Sequence, residues 1–308
     1  MSALLRGLAS LALIALLLWL VGPARVLAAF TNANPSWLAA GFISAICATL
    51  LSALRWHALA QWLGLQASRL ALGIAYWRGI TANTLLPGAH IGGDTLRAVH
   101  LHRAGHSLVA AGASVLLDRL SGLWMLVVLS LGMTVLGQFG GALPADLLPL
   151  PPALTALLAL AAVAGPLLLW QLSGAATARL PAKLAGLLGL LHQRPHPLGQ
   201  YFAQMLWSAG VQGFSILAFA CGARAVGIAL PLWEFVIVAG PVFILAALPI
   251  SVGGWGTREA AAALILGLFG VSRELAVAAS ILYGLYAAIQ GLAGAITLLH
   301  SERPPASR

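Results

Sequence analysis

Six windows of this chain contain no Asp, Glu, Lys or Arg: Thr31–Leu54, Leu120–Ala145, Leu147–Ala178, Pro195–Ala223, Phe235–Thr257 and Leu275–Ser301. A helix that crosses a bilayer needs about 20 consecutive, mostly apolar residues, and each window can supply one. In lipid every backbone polar group must be satisfied internally, so only helices and closed barrels can span. Barrel strands alternate in segments of about ten residues, and these windows do not alternate. The fold class is therefore all-α, a polytopic membrane protein. Only 7% of the 308 residues are charged, where soluble proteins carry about 25%.

Hydropathy divides the chain into six full spans: roughly Leu4–Val21, Trp37–Leu59, Ser107–Leu136, Pro152–Gln171, Tyr201–Cys221 and Leu275–Leu299. Two further segments, Leu72–Arg103 and Leu232–Phe269, are apolar but interrupted. Arg6 ahead of Leu8–Val21 has the form of a signal peptide. The small residues Ala28–Ala29 follow Leu27 rather than an A-x-A pattern, so the first segment is expected to remain as an uncleaved span. With the N-terminus inside, one side collects Arg6, Arg55, Arg69, Arg78, Arg97, Arg103, Arg179, Lys183, Arg194, Arg303 and Arg308. The other side has Arg25, Arg224 and Arg273. This asymmetry follows the positive-inside rule and predicts that both termini are cytoplasmic. Ser173–Leu191, with Arg179 and Lys183, reads either as an amphipathic surface helix or as a charged loop.

The net charge of +9 belongs to these flanks and meets anionic lipid. Nucleic-acid binding is not expected, because no soluble domain exists to carry a basic face. Cys47 and Cys221 lie in apolar runs and read as packing residues. No G-x-x-x-x-G-K stretch is present, so ATP hydrolysis is not expected.

The interrupted segments share a pattern. "LLPGAHIGGDTLRA" (Leu85–Ala98) and "LPISVGGWGTREA" (Leu248–Ala260) each hold a proline, then a Gly-Gly pair, then an arginine four residues after the second glycine. These are Pro87, Gly92, Gly93 and Arg97 in the first, and Pro249, Gly253, Gly254 and Arg258 in the second. Each segment follows two full spans and precedes one. Three full spans is an odd number, so the second half begins on the opposite face. The expectation is an inverted repeat, with pseudo-repeats 1–137 and 150–300 in a single transmembrane domain over 1–308. Both interrupted segments are then re-entrant, and the site lies at their interface.

Proline removes a backbone donor and glycine opens conformations closed to other residues. Such a break is tolerated at membrane depth only against protein or water. New helix starts are expected near Gly93 and Trp255, where free N–H groups favour an anion. Asp94 and Thr95 are candidate caps for the first. Arg97 and Arg258 lie one turn further in and can hold a phosphate through two parallel hydrogen bonds. Asp118 and Arg119 stand inside a span, where a charge costs about 2.5–3.5 kcal/mol on insertion scales. Neighbours at i,i+1 do not face each other on a helix, so Asp118 is expected to reach another helix, at Arg97 or Arg258. Structural pairing and headgroup or proton chemistry both remain open for it, and equally for Arg258–Glu259. Asp94 and Arg97, at i,i+3, can pair locally. Asn83, Ser251, Trp207 and Trp255 are candidates for lining a groove or for packing.

His100, His102 and His106 lie near the end of the first interrupted segment without a nearby carboxylate or cysteine. A metal site is not expected from them, and no cofactor is expected. The expected substrate-binding set is Asn83, Gly92, Gly93, Asp94, Arg97, Asp118, Arg119, Ser251, Gly253, Gly254, Arg258 and Glu259.

"NTLLPGAHIGGDTLRA", "SVLLDRLSGLW" (Ser114–Trp124) and "LPISVGGWGTREAA" together resemble the lysylphosphatidylglycerol synthase/flippase transmembrane family over nearly the whole chain. The resemblance implies a multi-pass bacterial inner-membrane protein that moves lipids or lipid-linked sugars between leaflets. In the synthases this region precedes a soluble aminoacyl-transfer domain. The chain stops at Arg308, so that domain and its activity are not expected here. Two classes compete: a lipid translocator without covalent chemistry, and a membrane transferase acting on a lipid or polyprenyl-phosphate substrate. The stretches Gln138–Leu150 and Ser173–Gln200 hold one carboxylate, Asp146, which favours translocation. An accessory subunit of a glycosyltransferase is a third reading. Homo-oligomers and a membrane-enzyme partner are compatible with all three.

The arginine asymmetry makes a topology test. With Cys47 and Cys221 replaced by alanine, a cysteine at Gly105 is expected to resist an impermeant thiol reagent in intact cells. A cysteine at Arg224 is expected to react. Labelling at Gly105 from outside reverses the orientation.

Overall fold

The computed structural model describes residues 22–85, 90–143, 150–176, 194–248 and 251–299, with a few positions before 22 and between 189 and 192. The expected first span (4–21) and surface segment (173–191) lie largely outside these residues, as do Pro87, Asp146 and Pro249. The described residues form ten helices and no strand. In order they are α1 (Pro23–Thr31), α2 (Pro35–Trp62), α3 (Arg69–Leu85), α4 (His90–Arg103), α5 (Leu108–Phe139), α6 (Pro152–Ala176), α7 (Pro197–Ala225), α8 (Leu232–Ala247), α9 (Thr257–Leu268) and α10 (Arg273–Leu299).

Five of the expected spans appear as α2, α5, α6, α7 and α10, each long and apolar enough to cross a membrane. Their starts carry clear signals. Asn34 Oδ1 accepts from the N–H of Ser36 and Trp37 ahead of Pro35, and Ser107 Oγ accepts from the Ala110 N–H. Both satisfy orphan donors of the first turn. The short helix α1 was not expected. Gly22 turns the chain with φ +90°, Pro23 opens the helix, and Val26 is buried in the main apolar cluster.

Each interrupted segment is a helical hairpin. The helices α3, α4, α8 and α9 have 17, 14, 16 and 12 residues. At 1.5 Å per residue they are about 18–26 Å long, short of the ~30 Å hydrocarbon core. The arms pack on each other, α3 on α4 and α8 on α9, so the chain reverses at the break. The pairing between halves is reciprocal: α3 lies against α10 and α8 against α5, while α2 and α7 form the central contact.

In lipid no hydrophobic force drives helices together, so close approach and polar contacts must do so. Gly41, Ala45, Ala48 and Ser52 line one face of α2, and a side chain at Gly41 would strike Tyr286 of α10. Two prolines inside helices expose carbonyls one turn back, and other helices satisfy them. Pro166 frees the Ala162 carbonyl, which accepts from Trp124 Nε1 at 2.7 Å. Pro241 frees the Ile237 carbonyl, which accepts from Ser130 Oγ at 2.6 Å. On the opposite crossing Thr81 Oγ1 donates to the Gly291 carbonyl at 2.8 Å and Trp77 Nε1 to that of Gln290 at 3.0 Å.

The apolar core has two main parts. One surrounds Phe219, Phe235, Val242 and Val277 in the second half, where Phe219 meets Phe235, Phe243 and Tyr283 edge-on. The other surrounds Trp56, Leu72, Leu101 and Ala111 in the first. α6 presents Leu154, Leu157, Leu160 and Leu169 outward, as a lipid-facing helix should.

The paired glycines do different work from that expected. Gly92 and Gly93 lie inside α4 rather than at the break. Gly92 has open space, whereas a Cβ on Gly93 would strike the Gly79 carbonyl and Asn83 Oδ1. Gly93→Ala is therefore expected to push α4 off α3 at a cost of about 1–3 kcal/mol, lowering the melting temperature in detergent. Gly92→Ala is expected to melt like the parent. Equal melting of the two variants would show that the hairpin does not need this close approach.

Candidate functional site

A buried carboxylate in the first half of α5 organises the site. Asp118 is 1% exposed and binds two arginines from different helices. Arg55 Nε of α2 donates to Oδ1 at 2.9 Å, and Arg97 Nη2 of α4 donates to Oδ2 at 2.6 Å. Arg55 also donates to the Asp118 carbonyl at 3.0 Å and to Ser208 Oγ of α7 at 3.1 Å. The Arg97 guanidinium packs against two tilted rings, 4.2 Å from the centroid of Trp56 and 4.4 Å from that of Tyr76. Such stacking suits a planar, weakly hydrated cation.

Arg55 was expected on the cytoplasmic surface; it is 4% exposed and holds Asp118. Of the two partners expected for Asp118, Arg97 is found and Arg258 is not. Asp94 was expected to cap a helix start or to pair with Arg97. Because α4 begins at His90, Asp94 and Thr95 lie inside it. The Asp94 carboxylate caps no helix start: it takes Arg119 at 2.9–3.0 Å through Nε and Nη2, and it also pairs with Arg97, as expected, at 3.7 Å. Adjacent on α5, Asp118 and Arg119 thus serve separate partners, as their angular separation requires.

Beside these charges is a cleft of about 220 Å³, lined by Tyr76, Asn83, Arg97, Arg119 and Gln290 among others. Asn83 Oδ1 accepts from the Gly93 N–H at 2.8 Å. The end of α3 meets the turn of the second hairpin here, since Gly253 lies against the Asn83 carbonyl and the Thr84 Cα. Gly253, Gly254 and Gly256 all have positive φ, from +58° to +87°, a region L side chains rarely enter. That turn accounts for the glycines of the second motif.

The charges of the second hairpin pair with each other. α9 starts at Thr257, close to the expected position, and Glu259 Oε2 accepts from the Gly256 N–H at 2.6 Å. Its Oε1 accepts from Arg258 at 2.8 Å and from Ser280 Oγ at 2.9 Å. Sequence neighbours pair because Glu259 folds back over the helix start. Arg258 also lies over Trp255 and Tyr283, at 5.0 and 5.8 Å. Ser251 bonds Thr257 at 2.8 Å and is buried. The cleft gathers Asn83, Arg97 and Arg119, with Gly93, Asp94 and Asp118 directly behind them. Arg258 and Glu259 line neither this cleft nor the recess beside it. His102 and His106 bond the backbone carbonyls of His106 and Gln66 at 2.9 Å, tying the end of α4 to the α2–α3 loop.

Removing one partner of a buried ion pair typically costs 3–5 kcal/mol, while exposed pairs contribute about 0–1 kcal/mol. Asp118→Asn strands Arg55 and Arg97 and is expected to lower thermal stability strongly. Glu274→Gln removes the partner of Arg25, which is 75% exposed, and is expected to change melting little. Equal, mild shifts in both would mean that Asp118 is hydrated.

A search among curated proteins gives no match. A family model described as the lysylphosphatidylglycerol synthase TM region matches residues 7–294, which include both hairpins and the Asp118 centre. The chain belongs to that family, and its function concerns membrane lipid.

Proposed function

We propose that this protein moves a phosphate-bearing lipid headgroup between the leaflets of a bacterial inner membrane, without covalent chemistry. The observation that carries this reading is the polar cleft where the end of α3 meets the turn of the second hairpin, with Arg97 and Arg119 on its wall. A charged path through the hydrocarbon core is what a headgroup needs and what an apolar bundle lacks. The halves 1–137 and 150–300 form an inverted repeat, supported by the reciprocal packing of α3 on α10 and α8 on α5. In transporters of that design the site lies at the repeat interface near the midplane. Both termini are cytoplasmic on the arginine asymmetry.

Against a transferase stands the state of the carboxylates. Asp94 and Asp118 are each held by guanidinium groups, which removes the freedom that a general acid or base requires.

The test is transbilayer movement of fluorescent phospholipid in proteoliposomes. Hydrogen bonds to charged groups contribute about 1.5–3 kcal/mol, so Arg97→Lys, which keeps charge but loses the planar fork, is expected to slow movement about tenfold or more. Arg97→Ala is expected to slow it further. Monodispersity and melting report folding separately. Unchanged movement in a folded Arg97→Lys protein would overturn the role of the cleft. Covalent modification of an added lipid-linked substrate, without movement, would support the transferase.

A further inference from the structure

Among the described residues, the charges around the cleft do not balance. Arg55, Arg97 and Arg119 face two carboxylates, Asp94 and Asp118. One positive charge is left over, in a site where Arg55, Arg97 and Asp118 are 4%, 3% and 1% exposed. The second hairpin shows no such excess, because Arg258 is matched by Glu259. Helix dipoles do not supply the missing charge: the C-terminus of α3 and the N-terminus of α4 flank the same break, and their partial charges are opposite.

Two buried polar atoms on cleft-lining residues have no hydrogen-bond partner among the described residues. They are Arg97 Nε, a donor, and Gln290 Oε1, an acceptor. Buried polar groups are normally satisfied, and an unbalanced buried charge is costly. The site therefore asks for an anion beside Arg97 and a hydroxyl beside Gln290. The cleft shares Thr49, Ala287 and Gln290 with a recess of about 120 Å³ that is also lined by Ala45, Ala48, Ser52, Ser215 and Tyr283. An uncharged recess of alanines and hydroxyls beside an anion cradle leaves room for the neutral part of a larger molecule.

We infer that the site selects lipids whose headgroup carries one net negative charge, as a hydroxyl-bearing phosphodiester, and rejects cationic headgroups; this rests on the lipid-translocation reading above. A phosphodiester is a monoanion at neutral pH and cancels the excess charge. Its oxygens take the Arg97 Nε–H and the open edge of Arg119, which is 35% exposed, and its hydroxyl donates to Gln290. Lysylphosphatidylglycerol, the lipid of the family name, has one phosphodiester and two ammonium groups. Its net positive charge adds to the buried excess instead of cancelling it, and like charges brought together oppose binding.

The experiment is competition for purified protein in mixed micelles, with bound lipid read by mass spectrometry. The equimolar probes are phosphatidylglycerol, phosphatidylmethanol, phosphatidylethanolamine and lysylphosphatidylglycerol, with inorganic phosphate in a separate arm. Phosphatidylglycerol is expected to exceed the zwitterionic and cationic lipids by about tenfold or more. Phosphatidylmethanol, anionic but without a hydroxyl, is expected to fall between. Arg119→Gln removes the excess and is expected to abolish the preference. Asp94→Asn raises the excess to two and is expected to shift selection toward phosphatidic acid, a phosphomonoester. Asp94 and Arg119 are 25% and 35% exposed, so both variants are expected to fold, as melting will report. Equal binding of all headgroups, preference for lysylphosphatidylglycerol, or selectivity unchanged in Arg119→Gln would each overturn the inference. Tight inorganic phosphate with no lipid preference would overturn it in favour of a soluble anion. Charge-selective binding without movement in proteoliposomes defeats translocation and leaves the selection standing; movement of all headgroups at one rate does the reverse.

Discussion

The Asp118 carboxylate fixes the arrangement of three helices at once. It lies on α5, its oxygens are taken by Arg55 of α2 and Arg97 of α4, and Arg97 is packed in the angle of the Trp56 and Tyr76 rings. A buried ion cluster is a weak source of net stability, because desolvation offsets most of the attraction. What it does supply is register. Any other docking of the first hairpin leaves a bare charge in an environment with no water to solvate it. The position of the cleft follows from that requirement, since Arg97 is both a ligand of Asp118 and a wall of the cleft.

The rest of the fold obeys the same accounting of polar groups. Lipid tails are as apolar as leucine, so burying leucine against leucine gains little over leaving it exposed. Specific contacts carry the assembly. The carbonyls released by Pro166 and Pro241 are received by Trp124 and Ser130 from a neighbouring span, which turns two helix defects into two interhelical bonds. Close approach does the remainder, at Gly93 within the first hairpin and at Gly41 beneath Tyr286.

What the sequence reveals and conceals here has a physical basis. Uncharged windows reveal spans because a charge in hydrocarbon is expensive, and α2, α5, α6, α7 and α10 follow from that alone. The proline–glycine runs mark the two interrupted segments, although Gly92 and Gly93 lie inside α4 and only Gly253 and Gly254 sit in a turn. Asp118 announces the need for a cation, and Arg97 was among the candidates. Arg55 was hidden because it lies within a turn or two of the end of α2, where the positive-inside rule also places surface arginines. The charge deficit at Asp118 was the signal that could have recruited it. The Asp94–Arg119 pair was hidden by a nearer option, Arg97 at i,i+3. Glu259 was hidden by helical geometry: neighbours do not meet inside a helix, but at its start the chain can fold back.

The two motifs look alike in sequence and behave differently in space. Arg97 reaches across to another helix and keeps one N–H free. Arg258 closes on its own neighbour, with Ser280 completing the contact and Gly284 so near its guanidinium that a methyl group would not fit. The first hairpin therefore contributes charge and the second contributes shape. Its tip, turned by Gly253 and Gly254, rests against Asn83 and Thr84 at the edge of the cleft, and Asn83 in turn holds the backbone of Gly93. A tip whose arginine is already paired can close this contact, whereas a second unpaired cation beside Arg97 and Arg119 would add repulsion where one positive charge is already in excess. Both interrupted segments hold a helix break, and the unbalanced charge among the described residues lies beside the first.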